Sequence, residues 1–249
     1  MNRQKSPLQK VLQTLLVLLV LILIYAPIAW LLISSISTRA DLLATPLRWI
    51  PPHPPPHKYG DILTPRATTS GGAATFKGTI RKSLLVAGST TLICLVIGSL
   101  AAYALARLNL PFRRLYLLGI LGTRMVPEIS LVIPLYIIAA RLGWIDKPQV
   151  LIVTYLSFAL PFAIWMLAAF FETVPLDLED AARIDGAGRL ETLVRVILPV
   201  AAPGLVSTAI FTFLLAWDEF FFALIFTSTL NAKTVPVAIA EFTGRYAVD

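Results

Sequence analysis

From Val11 to Ile36 the chain runs 26 residues without a charged side chain. A helix rises about 1.5 Å per residue, and crossing the ~30 Å hydrocarbon core of a bilayer takes about 20 apolar residues. Lipid offers no partners to a polar backbone, so such a run must close its own hydrogen bonds as a helix. Arg3, Lys5 and Lys10 precede it, as in a secretion signal. The run is too long for a signal core and lacks a small-residue cleavage site at its end, so the sequence predicts a retained first span.

The rest of the chain repeats this theme. Hydrophobic residues make up 57% and charged residues 14%, with a mean hydropathy of +0.79. A soluble domain carries about 25% charged residues, so the class is a polytopic, all-α membrane protein. The net charge of +7 is spread over the terminus and loops. No Lys/Arg block of the nucleic-acid-binding kind is present, and the basic balance belongs to membrane flanks. Cys94, the single cysteine, lies in an apolar run and reads as a small buried hydrophobe; an intrachain disulfide is excluded.

Four further spans are predicted, giving a single transmembrane domain over 1–249. Span 2 covers Ser83 to Ala106, with Gly88, Gly98, Ser99 and Ala101 permitting close helix packing. Span 3 covers Leu115 to Ala140 and holds Arg124 and Glu128 four residues apart, around Pro127. A helix through this run would put the two charges on one face, where a structural ion pair is the simplest arrangement. Span 4 covers Val150 to Phe171, and span 5 covers Pro199 to Thr227 with Trp217, Asp218 and Glu219 in sequence. Spans 1, 3 and 4 each hold a proline, which membrane helices tolerate, with a kink expected at Pro27. The segment 37–79 is a polar loop containing the stiff Pro51–His57 stretch and the Ser70–Gly72 punctuation. His53 and His57 sit between prolines, where no helix brings them to one face, and they read as loop residues and not metal ligands. Leu230 to Asp249 reads as a mostly polar tail.

Between spans 4 and 5 lies the most polar stretch of the sequence, Glu172 to Arg195. It holds Glu172, Asp177, Glu179, Asp180, Asp185 and Glu191 against Arg183, Arg189 and Arg195. Pro175 and Asp177 mark a helix start, with Asp177 the expected N-cap. Glu179 and Asp180 suit the first turn, Glu179 and Arg183 have i,i+4 spacing, and Gly186 and Gly188 end the helix. Leu178, Ala181, Ala182 and Asp185 share a small-residue face that another protein's groove could approach. A second helix is expected from Arg189 toward Leu198. By composition alone, an ordinary amphipathic helix lying on the membrane is the favoured reading, because short amphipathic helices are common at membranes. Charge counting places the short Arg107–Arg114 turn inside, and with it the N-terminus.

The residues Asp180-Ala181-Ala182, Gly186 four positions on, and Val196-Ile197-Leu198-Pro199 after nine more have the spacing of the EAA loop of ABC importer permeases. Ile184 to Gly188 (IDGAG), Phe158 to Trp165 (FALPFAIW) and Ala216 to Phe220 (AWDEF) resemble the carbohydrate-importer branch. The chain is similar to its smaller permease subunit, of the maltose-system G and trehalose-importer B type. Asp180 replaces the motif's Glu, Val196 its Ile, and Asp218 the Asn of AWNEF.

The resemblance implies a type I importer helix bundle in the plasma (inner) membrane with a cytoplasmic N-terminus. It makes 172–195 a cytoplasmic coupling loop and 37–79 an external loop. Glu179, Asp180, Ala181, Ala182, Arg183, Asp185 and Gly186 would dock in a cytoplasmic ATPase dimer. A second homologous permease and an extracytoplasmic sugar-binding protein complete the system, and ATP and Mg²⁺ sit on the ATPase, with no cofactor on this chain. The substrate class implied is a sugar, a disaccharide such as trehalose or maltose, with polyols and other oligosaccharides open. Such permeases carry a sixth span, absent before Asp249, so more apolar sequence is expected beyond it.

No G-x-x-x-x-G-K-[ST] occurs, so energy from ATP would come through a partner, and the chain is expected to be non-catalytic. The alternative reading is an ion-coupled secondary transporter using Arg124, Glu128, Asp218 and Glu219, since intramembrane charges are functional candidates. Against it, no inverted repeat of broken helices is visible. In the permease reading the same residues, with Trp217, are the candidates for the substrate path, since sugars are held by hydrogen-bonding groups beside aromatic faces.

Overall fold

The computed structural model describes residues 7–42, 44–45, 49–51, 72–229 and 232–246. His53, His57, Arg3, Lys5, Ser70, Gly71 and the residues after Tyr246, on which some of the readings above fall, lie outside the described residues. Secondary structure among the described residues is helical throughout. Two units separate at Ala73/Ala74.

The first unit is dominated by α1 (Pro7–Ile36), which contains an 18-residue stretch with a mean hydropathy of 2.9 and runs through Pro27 as one helix. It is followed by a single turn, α2 (Arg39–Leu42). Thr38 and Asp41 cap that turn reciprocally. The Thr38 hydroxyl donates to Asp41 Oδ2 at 2.6 Å, and the Asp41 amide donates back to Thr38 Oγ1 at 3.2 Å. Trp30 and Trp49 meet edge to face at 5.5 Å.

The second unit is a bundle built around α6 (Pro148–Glu172), entered by a proline at its first turn and continuous through Pro161. Helix α3 (Gly72–Arg107) packs along it in the same direction. Val86 and Ala87 share a cluster with Val150, Leu151 and Tyr155. Cys94 meets Ala159 and Ala163, and Ala102 and Tyr103 meet Leu167, Ala168 and Phe171. Small residues set the spacing: a Cβ on Gly98 would lie 3.4 Å from Leu167 and 3.6 Å from Ala163. Close backbone approach is what holds helices together where lipid removes the hydrophobic drive. Gly88, by contrast, faces open space. Because α3 starts at Gly72, the last residues of the expected 37–79 loop are helical.

Spans 3 and 5 differ from expectation. Leu115–Ala140 is not one helix. Helix α4 (Arg113–Gly122) passes into a 3₁₀ turn, Thr123–Met125, and α5 (Glu128–Arg141) leaves at 84° to it. The break is at Val126 (ψ 121°) and Pro127 (ψ 129°), both extended. A proline forces its predecessor out of the helical region, which accounts for Val126. Span 5 starts at Ala202, not Pro199. Helix α8 (Arg189–Val200) runs past Leu198 and includes a π turn at Leu193–Ile197, and α9 (Ala202–Trp217) departs at 83° after Ala201. The span breaks again after Trp217, before the short α10 (Phe221–Phe226). Among the described residues three helices are therefore long and apolar enough to cross a membrane, or five if each bent pair counts as one span.

Helix α9 lies against α6 in the opposite direction, with Phe211 on Phe162 and Gly204 under Phe170. Helix α10 is held by stacked rings: Phe158 on Phe222, Phe222 on Phe226, and Phe226 on Tyr136 of α5. The segment expected to be a polar tail contains a helix, α11 (Val235–Tyr246), whose Val237 is fully buried in the main core. The Val235 amide donates to Ser83 Oγ at 2.8 Å, and Lys233 pairs with Glu241 at 2.6 Å. Asp146, in the α5–α6 link at φ +64°, accepts from the Ser228 and Thr229 amides at 2.5 and 3.1 Å. It ties this link to the chain after α10.

Candidate functional site

The polar loop folds into α7 (Leu176–Ile184) followed by α8. The N-cap position is Pro175, with no side-chain cap, and Asp177 falls inside the first turn. The expected Asp177 cap is thus displaced: Pro175 already supplies the extended entry (φ −58°, ψ 136°), and Asp177 serves the helix dipole instead. The C-terminal end follows the sequence. Gly186 has φ +87°. Its amide donates to the Arg183 carbonyl at 3.0 Å, and the Ala187 amide to the Ala182 carbonyl at 2.9 Å. This is a Schellman closure, for which a residue without Cβ is favoured. Gly188 has an ordinary φ of −72° and leads into α8.

The face that α7 turns outward differs from the expected one. Leu178, Asp180, Ala181, Arg183 and Asp185 are exposed, whereas Glu179 and Ala182 are buried within the chain. Glu179 lies at the bottom of the loop, 1% exposed, against Arg107 at the end of α3. The two charges approach to 2.5 Å, in contact but outside directed hydrogen-bond geometry. Tyr103 donates its hydroxyl to Glu179 Oε2 at 3.4 Å, and Arg107 also donates to the Val174 carbonyl at 2.5 Å. Arg183 lies 3.7 Å from Glu179, its i,i+4 partner, and 3.1 Å from Asp180, its i,i+3 neighbour. Glu172 pairs with Arg113 at the start of α4, and Glu191 with Arg195 at 2.5 Å. The Arg107–Arg114 turn and the polar loop thus occupy one end of the bundle. A cleft of about 260 Å³ opens there between the Schellman turn and α8, lined by Ala182, Asp185, Gly186, Ala187, Glu191 and Arg195 among others.

Sequence reasoning missed Arg107 and Tyr103 as members of this site. Their four-residue spacing at the end of an apolar run was the available signal, since it places both on one helix face.

The residues proposed for the path come together differently from their spacing. Arg124 belongs to the 3₁₀ turn and Glu128 opens α5 across the break, so they do not share a helix face. Among the described residues no ion pair joins them; Arg124 lies over the Phe162 ring at 5.9 Å. The Glu219 carboxylate caps α10, accepting from the Phe222 and Ala223 amides at 2.7 and 3.1 Å. The Tyr155 hydroxyl and Glu128 lie in its electrostatic surroundings. Asp218 is exposed beside a cleft of about 230 Å³ that it lines with Glu219, Phe211, Leu214 and Leu215. Trp217 is half-buried and stacked on Phe213 at 5.5 Å. The two span breaks therefore bring Arg124 beside Phe162 and Glu219 beside Tyr155, both residues of α6.

A helical bundle with bent spans and one polar helix-turn-helix at its base is a permease-type architecture. It is similar to a chain of a solved bacterial ABC transporter involved in the import of the acidic polysaccharide alginate. That likeness covers 100% of this chain and 89% of the other, at TM-score 0.74 and 19% identity. Residues 94–243 match the family described as binding-protein-dependent transport system inner membrane component, and the chain belongs to that family. Its relatives include the trehalose/maltose transport system permease protein MalG of Thermococcus litoralis, 37% identical over 97% of this chain and 84% of the relative. The trehalose transport system permease protein SugB of Mycobacterium tuberculosis is 44% identical over 75% and 70%. The sulfoquinovosyl glycerol transport system permease protein SmoH of Agrobacterium fabrum is 37% identical over 89% and 75%. The chain is thus a membrane-embedded permease component, and membership implies a substrate-binding protein and an ATPase as its partners.

Proposed function

We propose that this permease imports a sugar at the expense of ATP hydrolysed by a cytoplasmic partner, with 172–199 as the coupling loop. The observation that carries this is the outward face of α7. Asp180, Ala181, Arg183 and Asp185 stand exposed on a helix closed by Gly186 and backed by buried groups of the same chain. A rigid helix with a small residue at its centre and charges around it fits a groove in another protein. The loop and the basic Arg107–Arg114 turn share one end of the bundle, which supports a cytoplasmic placement for both and a cytoplasmic N-terminus.

The relatives' names support a disaccharide such as trehalose or maltose, and the sulfoquinovosyl glycerol relative supports glycosides as a wider class. In this reading a second, homologous permease completes the path, and 1–249 acts as one transmembrane domain with 37–79 external. The substrate passes the polar groups at the span breaks: Asp218 at the cleft, with Trp217, Glu219, Glu128 and Arg124 around it. Reconstitution with the ATPase, the second permease and the binding protein in lipid vesicles tests the whole reading. ATP-dependent accumulation of labelled trehalose or maltose is expected, lost with Ala181→Trp. Accumulation without ATP, or an unaffected Ala181→Trp transporter, would overturn it.

A further inference from the structure

We propose that Arg107 and Glu179 form a latch that makes the docking helix α7 and the end of α3 one moving body. The latch, not docking itself, is then how displacement of the loop reaches the membrane span. The inference rests on the reading of α7 as the docking helix.

Two observations on the page separate Glu179 from its neighbours. Every other acidic residue of α7 is solvent-exposed, while Glu179 is among the most deeply buried side chains in the chain. Its partner is equally enclosed, with the Arg107 side chain 5% exposed. Burying two charges is unfavourable unless each is matched and further hydrogen-bonded. Here the charges are matched by contact and each residue has a further hydrogen bond: Arg107 faces Glu179 and donates to the Val174 carbonyl, and Glu179 faces Arg107 and Arg183 and accepts from Tyr103. Val174 closes α6 just before α7 begins. Arg107 therefore grips both the helix and the strap leading into it.

The packing around the latch is continuous. Tyr103 and Ala102 of α3, Phe171 of α6, Val174 just beyond it, and Leu193 and Ile197 of α8 form one buried cluster. A push on the exposed face of α7 meets a helix that is charged on its inner side, fixed to α3 and surrounded by close packing. Separating α7 from α3 would leave two unpaired buried charges. Moving them together leaves every partner in place. The linkage has the form that mechanical coupling requires: an element both sites share, held rigidly.

The test uses the whole transporter, reconstituted with its ATPase, second permease and binding protein. Glu179→Gln and Arg107→Gln each leave one buried group without its countercharge. Uptake per ATP hydrolysed, at matched amounts of assembled complex, is expected to fall roughly tenfold, within the ~5–150-fold range of coupling constants. A merely structural role would lower the amount of complex and leave that ratio unchanged. A second measurement keeps the latch intact. Spin labels on the exposed positions Asn109 and Asp177 report the distance between the end of α3 and α7. It is expected to stay constant between nucleotide-free and nucleotide-trapped states. An increase of about one helical turn, ~5 Å, would overturn the latch. So would wild-type uptake per ATP in both glutamine variants. If Ala181→Trp assembles and transports normally, the docking reading fails. If Ala181→Trp abolishes assembly while the latch variants keep full coupling, the latch alone fails.

Discussion

Replacing Gly186 by alanine isolates the contribution of one backbone conformation. Gly186 has φ +87°, and a Cβ built there meets no heavy atom within 4 Å. Steric contact with the rest of the chain is therefore absent, and the whole effect is the left-handed backbone that an L-residue resists. That preference is about 1–2 kcal/mol for a residue with a Cβ. One to two kcal/mol is a factor of roughly 5–30 in an equilibrium. The turn closes two hydrogen bonds, Gly186 to Arg183 and Ala187 to Ala182. In Gly186→Ala these amides should exchange with solvent about 5–30 times faster, and complex formation with the ATPase should weaken by a similar factor. Gly188 is the internal control, since its site is also open but its φ is −72°. Gly188→Ala should leave both measurements nearly unchanged. Gly186→Asn should fall between, because asparagine tolerates the left-handed region better than alanine. Equal effects of Gly186→Ala and Gly188→Ala in hydrogen exchange would refute the reasoning.

Three further expectations follow from other contacts. A Cβ on Gly204 would sit 2.3 Å from Phe170 Cγ, so Gly204→Ala should destabilise the α6–α9 contact by about 1–3 kcal/mol, read as a lowered melting temperature in detergent. Gly98→Ala, with ordinary contacts from 3.4 Å, should be tolerated, and a Gly204→Ala, Phe170→Ala double variant should recover part of the loss. Arg124→Ala and Glu128→Ala should be additive in a double-mutant cycle, because the two side chains form no pair; a coupling energy above ~0.5 kcal/mol would contradict this geometry. Single cysteines at the exposed positions Arg189 and Lys147 should react with a membrane-impermeant reagent from opposite sides, Arg189 from the cytoplasm. Native Cys94 is buried and should stay silent, and labelling of both positions from the same side would reverse the topology argument.

The readability of the sequence varied with the range of the forces involved. The uncharged runs that become α1, α3 and α6 announced themselves, since lipid imposes helix on any such run. The Gly186 turn was equally local: a glycine at the end of a short amphipathic helix. Prolines were harder. Pro27, Pro134 and Pro161 sit inside continuous helices, whereas Pro127 breaks one, together with Val126. Nothing in the local chemistry separates them, and the outcome depends on what surrounds the freed backbone groups. The Arg124–Glu128 spacing misled for that reason, because a helical period was carried across a break. Ala182 is expected on the outer face from its spacing with Leu178, Ala181 and Asp185, and Glu179 joins the docking set only through the family resemblance; both are buried. Only Arg107, far away in the sequence, makes an inward carboxylate stable. Similarly, α11 looked polar overall, and its buried Val237 is visible only once α3 and α6 supply the pocket.

The π turn at Leu193–Ile197 gives the spacing of the polar loop a geometric meaning. Each residue of a helix advances its side chain by ~100°, so the number of residues between Gly186 and Pro199 is an angular phase as well as a length. The wide turn takes up residues without adding a regular turn, and so retunes that phase. With this setting Leu193 and Ile197, at 2% and 0% exposure, both point into the buried cluster while Arg195 points away. Inserting or deleting one residue between Gly188 and Leu198 would swing that pair out of register by more than a quarter revolution, though every residue type stayed the same. The interval behaves as a gear ratio between the exposed face of α7 and the span beyond Ala201.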